Sequence, residues 1–167
     1  STTTLTINLA DSGLVAPADD EVLVYEKALD TTALPDGQDL AVGTVTGSLP
    51  GSTLETETGN QLEATGGFGT KTYELVTGGN AVTAGTYGSI QIATDGSYTY
   101  TLTAPVDGAT ADNGVTTEDN RDSFTYRVTD ANGNTSQGTI YIDIVDDVPT
   151  ATFDTGNVDE GATLLIH

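Results

Sequence analysis

The stretch DSFTYRVTDANGNTSQGTIYIDIVDDVPTA, residues 122–151, decides the fold. Two runs in which apolar and polar residues alternate flank a short segment rich in Asp, Asn and Gly. Alternation with a period of two is typical of a half-buried β-strand, and Asp, Asn and Gly are preferred in turns. The stretch therefore predicts a β-hairpin whose second strand ends in Asp146 and Asp147, shortly before Pro149.

A second hairpin is predicted upstream, in GSIQIATDGSYTYTLT (88–103). Asp95-Gly96 is a two-residue turn signal between two alternating runs. Further strands are predicted at 22–28, 40–49, 60–65 and 70–77. No window of ten or more residues has helical spacing. The chain is therefore predicted to be all-β, folded as an antiparallel β-sandwich.

The composition restricts the class of partner. The 167 residues include 25 acidic and four basic side chains, for a formal charge of −21. We expect no nucleic-acid partner and no direct membrane contact, because both need a positively charged surface. The 36% of hydrophobic residues, arranged in alternation, argues for a folded core. With no Cys and a single His, disulfides are excluded and zinc is disfavoured.

The two ends of the chain resemble each other. Thr4 aligns with Thr139, an offset of 135 residues, and Val24 aligns with Val158, an offset of 134 residues. A period of this length indicates a tandem array of whole domains. We therefore expect residues 1–19 to be the end of a preceding repeat with its linker strand, 20–147 a complete repeat, and 148–167 the start of the next.

Several short motifs carry a family resemblance. They are Gly88, Asp95-Gly96, Tyr98-Thr99-Tyr100, Asp122-Ser123-Phe124-Thr125-Tyr126, Thr129-Asp130, Gly133 and Asp146-Asp147-x-Pro149. With them the chain resembles the extender repeats of giant RTX-type bacterial adhesins exported by type I secretion. It is also similar to the related immunoglobulin-like, cadherin-like and VCBS-like repeats of bacterial surface proteins.

The resemblance implies an immunoglobulin-like or cadherin-like sandwich located outside the cell, at its surface. Such a repeat is a spacer that binds Ca²⁺ at its ends, contacts the neighbouring repeats of its own chain and projects a distal ligand-binding region for adhesion and biofilm formation. It does not imply catalysis. The sequence agrees, because it has no histidine within the predicted fold, no cysteine and no Gly-x-Ser-x-Gly motif.

The predicted topology collects acidic groups at the two ends of the sandwich. The last strand must begin at the end where the chain enters and finish where it leaves, and calcium prefers roughly six to eight oxygen ligands. The candidate ligands at the entry end are Asp11, Asp19, Asp20, Asp95, Asp130, Asn132 and Asn134. Those at the exit end are Asp119, Asp122, Asp146, Asp147 and Glu160.

Other interpretations stay open for these residues. The segment 130–134 also fits a plain turn, Asp146-Asp147 a solvated strand end, and 107–122 a mobile acidic loop. The alternative function is a calcium-dependent carbohydrate- or protein-binding module, in which the region 30–85 forms a surface for a glycan or host ligand. The spacer predicts ions at the two ends of the domain, whereas a lectin predicts an ion in an exposed lateral loop.

Overall fold

The computed structural model describes residues 13–31, 45–48, 52–106 and 116–146. These contain one 3₁₀ turn, Glu26–Ala28, and the strands β1 (Asp19–Tyr25), β2 (Leu29–Thr31), β3 (Val45–Ser48), β4 (Thr56–Gln61), β5 (Thr72–Leu75), β6 (Thr83–Ala84), β7 (Gly88–Ile92), β8 (Ser97–Leu102), β9 (Thr116–Thr129) and β10 (Thr135–Asp146). None of the described segments forms a helix long and apolar enough to span a membrane.

The strands form two four-stranded sheets and a small two-stranded one. The first sheet has the order β1-β10-β9-β5, the second β4-β8-β7-β6, and β2 pairs with β3. Both predicted hairpins are confirmed, as β7-β8 around Asp95-Gly96 and β9-β10 around the turn 130–134. The predicted all-β sandwich is thus confirmed. One pair departs from the antiparallel prediction, because β1 runs parallel to β10.

The core lies between the two four-stranded sheets and follows the alternation of the sequence. Every second residue points inward, so Ile140, Ile142 and Ile144 of β10 are fully buried. The other core side chains of these sheets are Val22, Val24, Tyr73, Leu75, Ile90, Ile92, Tyr98, Tyr100, Leu102, Phe124, Tyr126 and Val128. Burial at roughly 25 cal/mol per Å² of apolar surface is the main force that holds the sheets together.

Two glycines make room for buried tyrosines. A Cβ at Gly138 would lie 2.6 Å from Tyr126 Cε1 and 2.4 Å from the Pro17 carbonyl oxygen. A Cβ at Gly88 would lie 2.4 Å from the Tyr100 hydroxyl. Because real Cβ atoms do not approach so closely, a side chain at either position would displace the ring. Gly88 therefore belongs to the core rather than to a ligand site.

The strand boundaries correct some predictions. The strand predicted at 60–65 is β4, which ends at Gln61, and the one predicted at 22–28 is β1, which begins at Asp19 and ends at Tyr25. Of the strand predicted at 40–49, residues 45–48 form β3, and residues 40–44 and 49 lie outside the described residues. The acidic segment 107–122 is not a loop throughout, because β9 begins at Thr116 and contains both Asp119 and Asp122.

The sandwich has two poles. The entry pole consists of residues 13–18, the loop 64–71 and the turn 130–134. The Val15–Thr65 bridge joins the first two, and the Ala16 amide donates a hydrogen bond to Ser136 Oγ, at the start of β10 just after the turn. The exit pole consists of the 3₁₀ turn, the loop 52–55, and Asp146, which pairs with Thr116. β10 has 12 residues, and at roughly 3.3 Å per residue it spans about 36 Å between the poles.

Candidate functional sites at the two poles

Asp130 is the centre of the entry pole. Its buried Oδ1 accepts hydrogen bonds from the amides of Asn132 and Asn134, both at 2.9 Å. Its Oδ2 accepts from the Phe68 amide at 2.9 Å and from Asn134 Nδ2 at 3.0 Å. The hydrogen bond from the Asn134 side chain, reinforced by these amides, lowers the pKa of Asp130 to about 2. The carboxylate is thus ionised and fully engaged by donors of its own fold.

This network favours the turn interpretation of 130–134. The carboxylate of Asp130 accepts the Asn132 amide two residues on, which is the hydrogen bond of an Asx turn. It also accepts the Phe68 amide and so connects the turn to the loop 64–71. Asn132 and Asn134 lie exposed around it. Their role as calcium ligands, together with that of Asp130, stays a prediction, and a metal would have to replace hydrogen bonds that already satisfy this carboxylate.

Asp95 forms a second closed turn. Its Oδ1 accepts hydrogen bonds from the Ser97 hydroxyl at 2.7 Å and from the Ser97 amide at 3.0 Å. These bonds lower the pKa of the exposed Asp95 carboxyl. The turn lies near the entry pole, because its Gly96 carbonyl accepts from the Leu62 amide and Thr94 accepts from Tyr73.

Asp19 and Asp20 lie on the flank of the sandwich rather than in a bridge at its end. Asp19 pairs with Ile140, five residues into β10 and therefore about 16 Å from its start. Asp20 and Glu21 occupy a bulge in β1, between the pairs of Asp19 and Val22. These acids line a cavity of about 450 Å³ together with Pro17 and Ala18 of the entry pole, Tyr126, and residues of β4 and the loop after it. The sequence placed them at the entry end because it did not reveal where β1 begins.

Asp122 holds the two sheets together. It is 4% exposed, and its Oδ1 accepts a hydrogen bond from the Thr86 amide at 2.7 Å. Its Oδ2 accepts from the amides of Tyr87 and Gly88, at 3.0 and 3.1 Å, and from the Tyr100 hydroxyl at 2.8 Å. Burial, followed by the contact with the Asp122 carboxylate, raises the pKa of Tyr100. These contacts favour a structural role over that of a calcium ligand.

The exit pole has buried carboxylates of a different kind. Asp146 and Glu55 are buried, and Asp146 Oδ1 and Glu55 Oε2 accept no hydrogen bond from the described residues. Glu55 is placed there by its main chain, since its carbonyl accepts from the Leu102 amide and the preceding Leu54 carbonyl accepts from Tyr25. The fully buried Glu26 follows Tyr25, which pairs with Val145, one residue before Asp146. Neither Glu55 nor Glu26 was among the residues predicted from the sequence.

Asp119 lies three residues along β9 from the exit pole and is exposed. It belongs to an irregularity in the β9-β10 ladder, where Asn120 has a φ of 55° and donates its amide to Asp143 Oδ1 at 2.8 Å. Nearby, Arg121 forms an ion pair with Glu118. Asp119 therefore lies close to the exit pole, although in a strand.

The remaining candidates, Asp11, Asp147 and Glu160, lie outside the described residues. Within the residues that the structure describes, no three carboxylates lie close enough together to hold a metal ion. The ligand chemistry nevertheless fits calcium at the exit pole. Asp146 Oδ1 and Glu55 Oε2 are buried oxygens that accept no hydrogen bond from the described residues, and calcium prefers oxygen ligands. At the entry pole the fit is poor, because Asp130 is already satisfied.

A lateral cavity of about 680 Å³ opens beside β9. It is lined by residues 75–77, 83–86 and 121–125, with Gln137. Its charged groups are already engaged, since Arg121 pairs with Glu118 and Asp122 accepts the hydrogen bonds described above. The cavity is therefore a polar groove without a carboxylate available for a metal.

Comparison with known proteins agrees with the sandwich. No curated protein matches the chain. Residues 68–143, from the loop at the entry pole into β10, match the family model of the bacterial Ig domain. Domains of this family are typically structural and commonly occur in surface or extracellular proteins. The match supports a bacterial immunoglobulin-like repeat.

Proposed function

We propose that this domain is an extender repeat of a large bacterial surface adhesin, in which calcium ions stiffen the joints between consecutive repeats. The single observation that carries the proposal is that the described chain enters the sandwich at one pole and reaches Asp146 at the other. A domain connected in this way adds its full length to an array. Its work is mechanical, and it holds a distal binding region away from the cell.

The entry segment is fastened along the domain axis. The Val15 and Thr65 main chains bond to each other at 2.9 and 3.0 Å, and the Tyr126 hydroxyl donates to the Pro17 carbonyl at 2.6 Å. Ala16 is buried against the core. These contacts are made before β1 begins. A pull on the incoming chain is therefore transmitted to the loop 64–71, through Thr65, and to β9, through Tyr126. The parallel β1-β10 pair then resists that pull through hydrogen bonds loaded together.

The calcium part of the proposal rests on the exit pole. Burial of a carboxylate oxygen without a donor is unfavourable by several kcal/mol in apolar surroundings, on the order of the loss of a charged hydrogen bond. Asp146 and Glu55 are in this situation in a chain of charge −21. A divalent cation would satisfy these oxygens, and Asp147 with Glu160 of the next repeat would supply further ligands. The joint would then be rigid outside the cell, where calcium is abundant, and loose inside it.

The first experiment is a calcium titration of the 167-residue chain by calorimetry, with thermal melting in parallel. We expect saturable binding near 10⁻⁴ to 10⁻³ M, roughly the range of extracellular calcium modules, together with a higher melting temperature. The double variant Asp146→Ala/Asp147→Ala should lose this response while its core still melts cooperatively. The matched control, Asp19→Ala/Asp20→Ala, changes two adjacent acids on the flank and should keep it. Equal melting temperatures with calcium and with chelator would refute the calcium-stiffened joint.

The alternative is a calcium-dependent carbohydrate- or protein-binding module built from the region 30–85. The lateral cavity is the feature that bears on it, because residues 75–77 and 83–86 form one wall. The two charged side chains in its lining are Arg121, which forms an ion pair with Glu118, and Asp122, which accepts hydrogen bonds within the domain. The cavity wall thus has no carboxylate free to hold a bridging ion. A glycan array probed with and without calcium tests this alternative. Calcium-dependent capture of a defined sugar, abolished by Thr86→Trp in the cavity wall, would favour the lectin.

A further inference from the structure

The loop 66–69 at the entry pole holds an aromatic side chain out into solvent. Phe68 is 51% exposed and lies between Gly67 and Gly69, whose φ angles are 72° and 64°. Gly66 also has a positive φ, 65°. L-residues rarely adopt this conformation, so the glycines make the loop shape possible. Single exposed apolar residues are common on protein surfaces, so the significance of this ring lies in its position at the entry pole, beside the incoming chain.

The main chain of Phe68 is fixed from both sides. Its amide donates to Asp130 Oδ2 at 2.9 Å, and its carbonyl accepts from the Ala131 amide at 2.9 Å. The flanking glycines are packed tightly, since a Cβ at Gly67 would lie 2.7 Å from Leu14 Cδ1 and one at Gly69 would lie 2.9 Å from Ala131 Cβ. The loop is thus held between the incoming chain and the turn 130–134, which fixes the position from which the Phe68 side chain leaves the main chain.

The incoming chain brings the preceding repeat close to this ring. In the internal alignment Asp11 corresponds to Asp146, so the last strand of the preceding repeat is predicted to end at Asp11. Gly13 follows two residues later, and Leu14 packs on the core beside the loop. Two extended residues reach only about 7 Å. If the preceding repeat ends at Asp11 as predicted, the end of its last strand lies within about 7 Å of Gly13 at the entry pole.

Both poles carry apolar side chains that this geometry can pair. Val15 is as exposed as Phe68, at 51%, and lies in the segment 13–18 of the same pole. At the exit pole Leu54 is 45% exposed, and its carbonyl accepts the hydrogen bond from Tyr25. A second domain of this fold, placed in line, would thus offer an apolar side chain to the ring of Phe68.

We propose that Phe68, on its Asp130-anchored glycine loop, is an interaction surface for the exit pole of the preceding repeat and sets the angle of the joint by apolar contact. The proposal rests on the tandem array of the proposed function but not on calcium. The ring acts as a fixed wedge, because its main chain is held by the domain core and not by the linker. The joint would then keep a preferred direction even when its carboxylates bind no ion.

A tryptophan reporter tests the contact, because the natural chain contains no Trp. The protein is a tandem in which residues 1–146 are followed by residues 12–167, so that only the second copy has a complete domain before it. Phe68→Trp is introduced in the first copy alone or in the second copy alone. The matched control is Val82→Trp, at an apolar side chain that is 64% exposed outside the entry pole. Acrylamide quenching is measured in calcium and in chelator, and thermal melting checks that each variant folds.

The Phe68→Trp reporter in the second copy should be quenched about twofold less than the same reporter in the first copy, because a docked side chain is shielded from solvent. The Val82→Trp control should be quenched equally in both copies. Shielding of the Phe68→Trp reporter both in calcium and in chelator supports the contact, whereas shielding in calcium alone would overturn its independence of the ion. Equal quenching of that reporter in the two copies under both conditions overturns it. Calcium titration of the 167-residue chain, which keeps the Asp146-Asp147 junction, reports separately on the calcium proposal, so failure of that proposal and failure of the contact are distinguishable.

Discussion

The two poles of the sandwich carry the same kind of residue and treat it in opposite ways. At the entry pole, the carboxylate of Asp130 accepts four hydrogen bonds, three of them from main-chain amides. At the exit pole, Asp146 and Glu55 are buried, and each has one oxygen that no donor in the described part of the chain reaches. An acidic residue in this chain therefore belongs to the fold where neighbouring amides face its carboxylate, as at Asp130, and keeps an unsatisfied oxygen where no donor of the described residues does so, as at Asp146 and Glu55.

This difference arises from local geometry. A turn such as 130–134 directs successive amides inward, so one carboxylate can satisfy several of them. A strand end has amides that are already used in its ladder, as at Asp146, which pairs with Thr116. The distinction gives a rule that can be tested residue by residue. Removal of a satisfied acid should destabilise the domain with or without calcium, whereas neutralisation of an unsatisfied one should matter mainly through calcium.

Asp122→Ala is expected to have the largest effect. The change removes four hydrogen bonds and leaves the Gly88 amide and the Tyr100 hydroxyl buried without their acceptor. We expect the free energy of unfolding to fall by about 3 kcal/mol, since unsatisfied buried donors are unfavourable by roughly 1–3 kcal/mol each. Urea denaturation in calcium and in chelator is the measurement, and the loss should be the same in both.

Asp119→Ala is the matched control for Asp122. It lies three residues away in the same strand but is exposed, so the change should alter stability by less than about 0.5 kcal/mol. If Asp122→Ala were no more harmful than this control, the inter-sheet role of its carboxylate would be wrong. If its effect appeared only in the presence of calcium, Asp122 would be a ligand, as the sequence predicted.

The hairpins of this fold could be predicted because their signals are local. Asp95-Gly96 and the segment 130–134 are turn signals between alternating runs, and the alternation of β10 identifies its buried face. The short strands β2 and β6, of three and two residues, contain too little sequence to show a period. The first half of β9 reads TTEDNRD and is largely exposed, so it has no alternation that separates it from a loop.

The sites were harder to predict than the fold. Asp122 belongs to the motif DSFTY, and Gly88 to another, but the hydrogen bond between them joins two sheets and cannot be found from either motif alone. Glu55 lies in TLETETGN, where no feature distinguishes it from Glu57, and it becomes buried only because its main chain bonds to Leu102. The domain boundaries and the calcium ligands stay predictions.

Glu55→Gln should have a smaller effect on the free energy of unfolding than Asp122→Ala, and this effect should differ between chelator and calcium. In chelator the neutral amide is less costly to bury than a carboxylate with an unsatisfied oxygen, so stability should rise by about 1 kcal/mol. The rise in melting temperature that calcium causes should be smaller in the Glu55→Gln variant than in the unmodified domain. Glu57→Gln is the control, because Glu57 Oε2 accepts a hydrogen bond from the Leu23 amide at 2.6 Å. The neutral carbonyl oxygen of Gln would accept this bond more weakly, so stability should fall slightly in both conditions.

A Glu55→Gln variant that was destabilised in chelator and kept the full calcium response would contradict the comparison of the poles. It would mean that Glu55 is stabilised by its surroundings as Asp130 is. Glu55 would then need no ion, and Asp146 would be left as the unsatisfied carboxylate among the described residues of the exit pole.

The smallest expected effect is a pH dependence at the entry pole. The pKa of Asp130 is lowered from 3.8 to about 2 in the folded domain, chiefly by the hydrogen bond from the Asn134 side chain. The unfolded chain therefore takes up the proton first, so this stabilisation is fully present above pH 4 and is lost as the pH falls from about 4 to 2. Asn134→Ala removes the side-chain donor but keeps the amide, so the pKa should return part of the way towards 3.8. Urea midpoints in chelator between about pH 6 and pH 2 should show the advantage of the unmodified domain over this variant shrinking within that window. An advantage that stayed constant down to the acid end of this range would mean that the Asn134 side chain does not stabilise the ionised carboxylate.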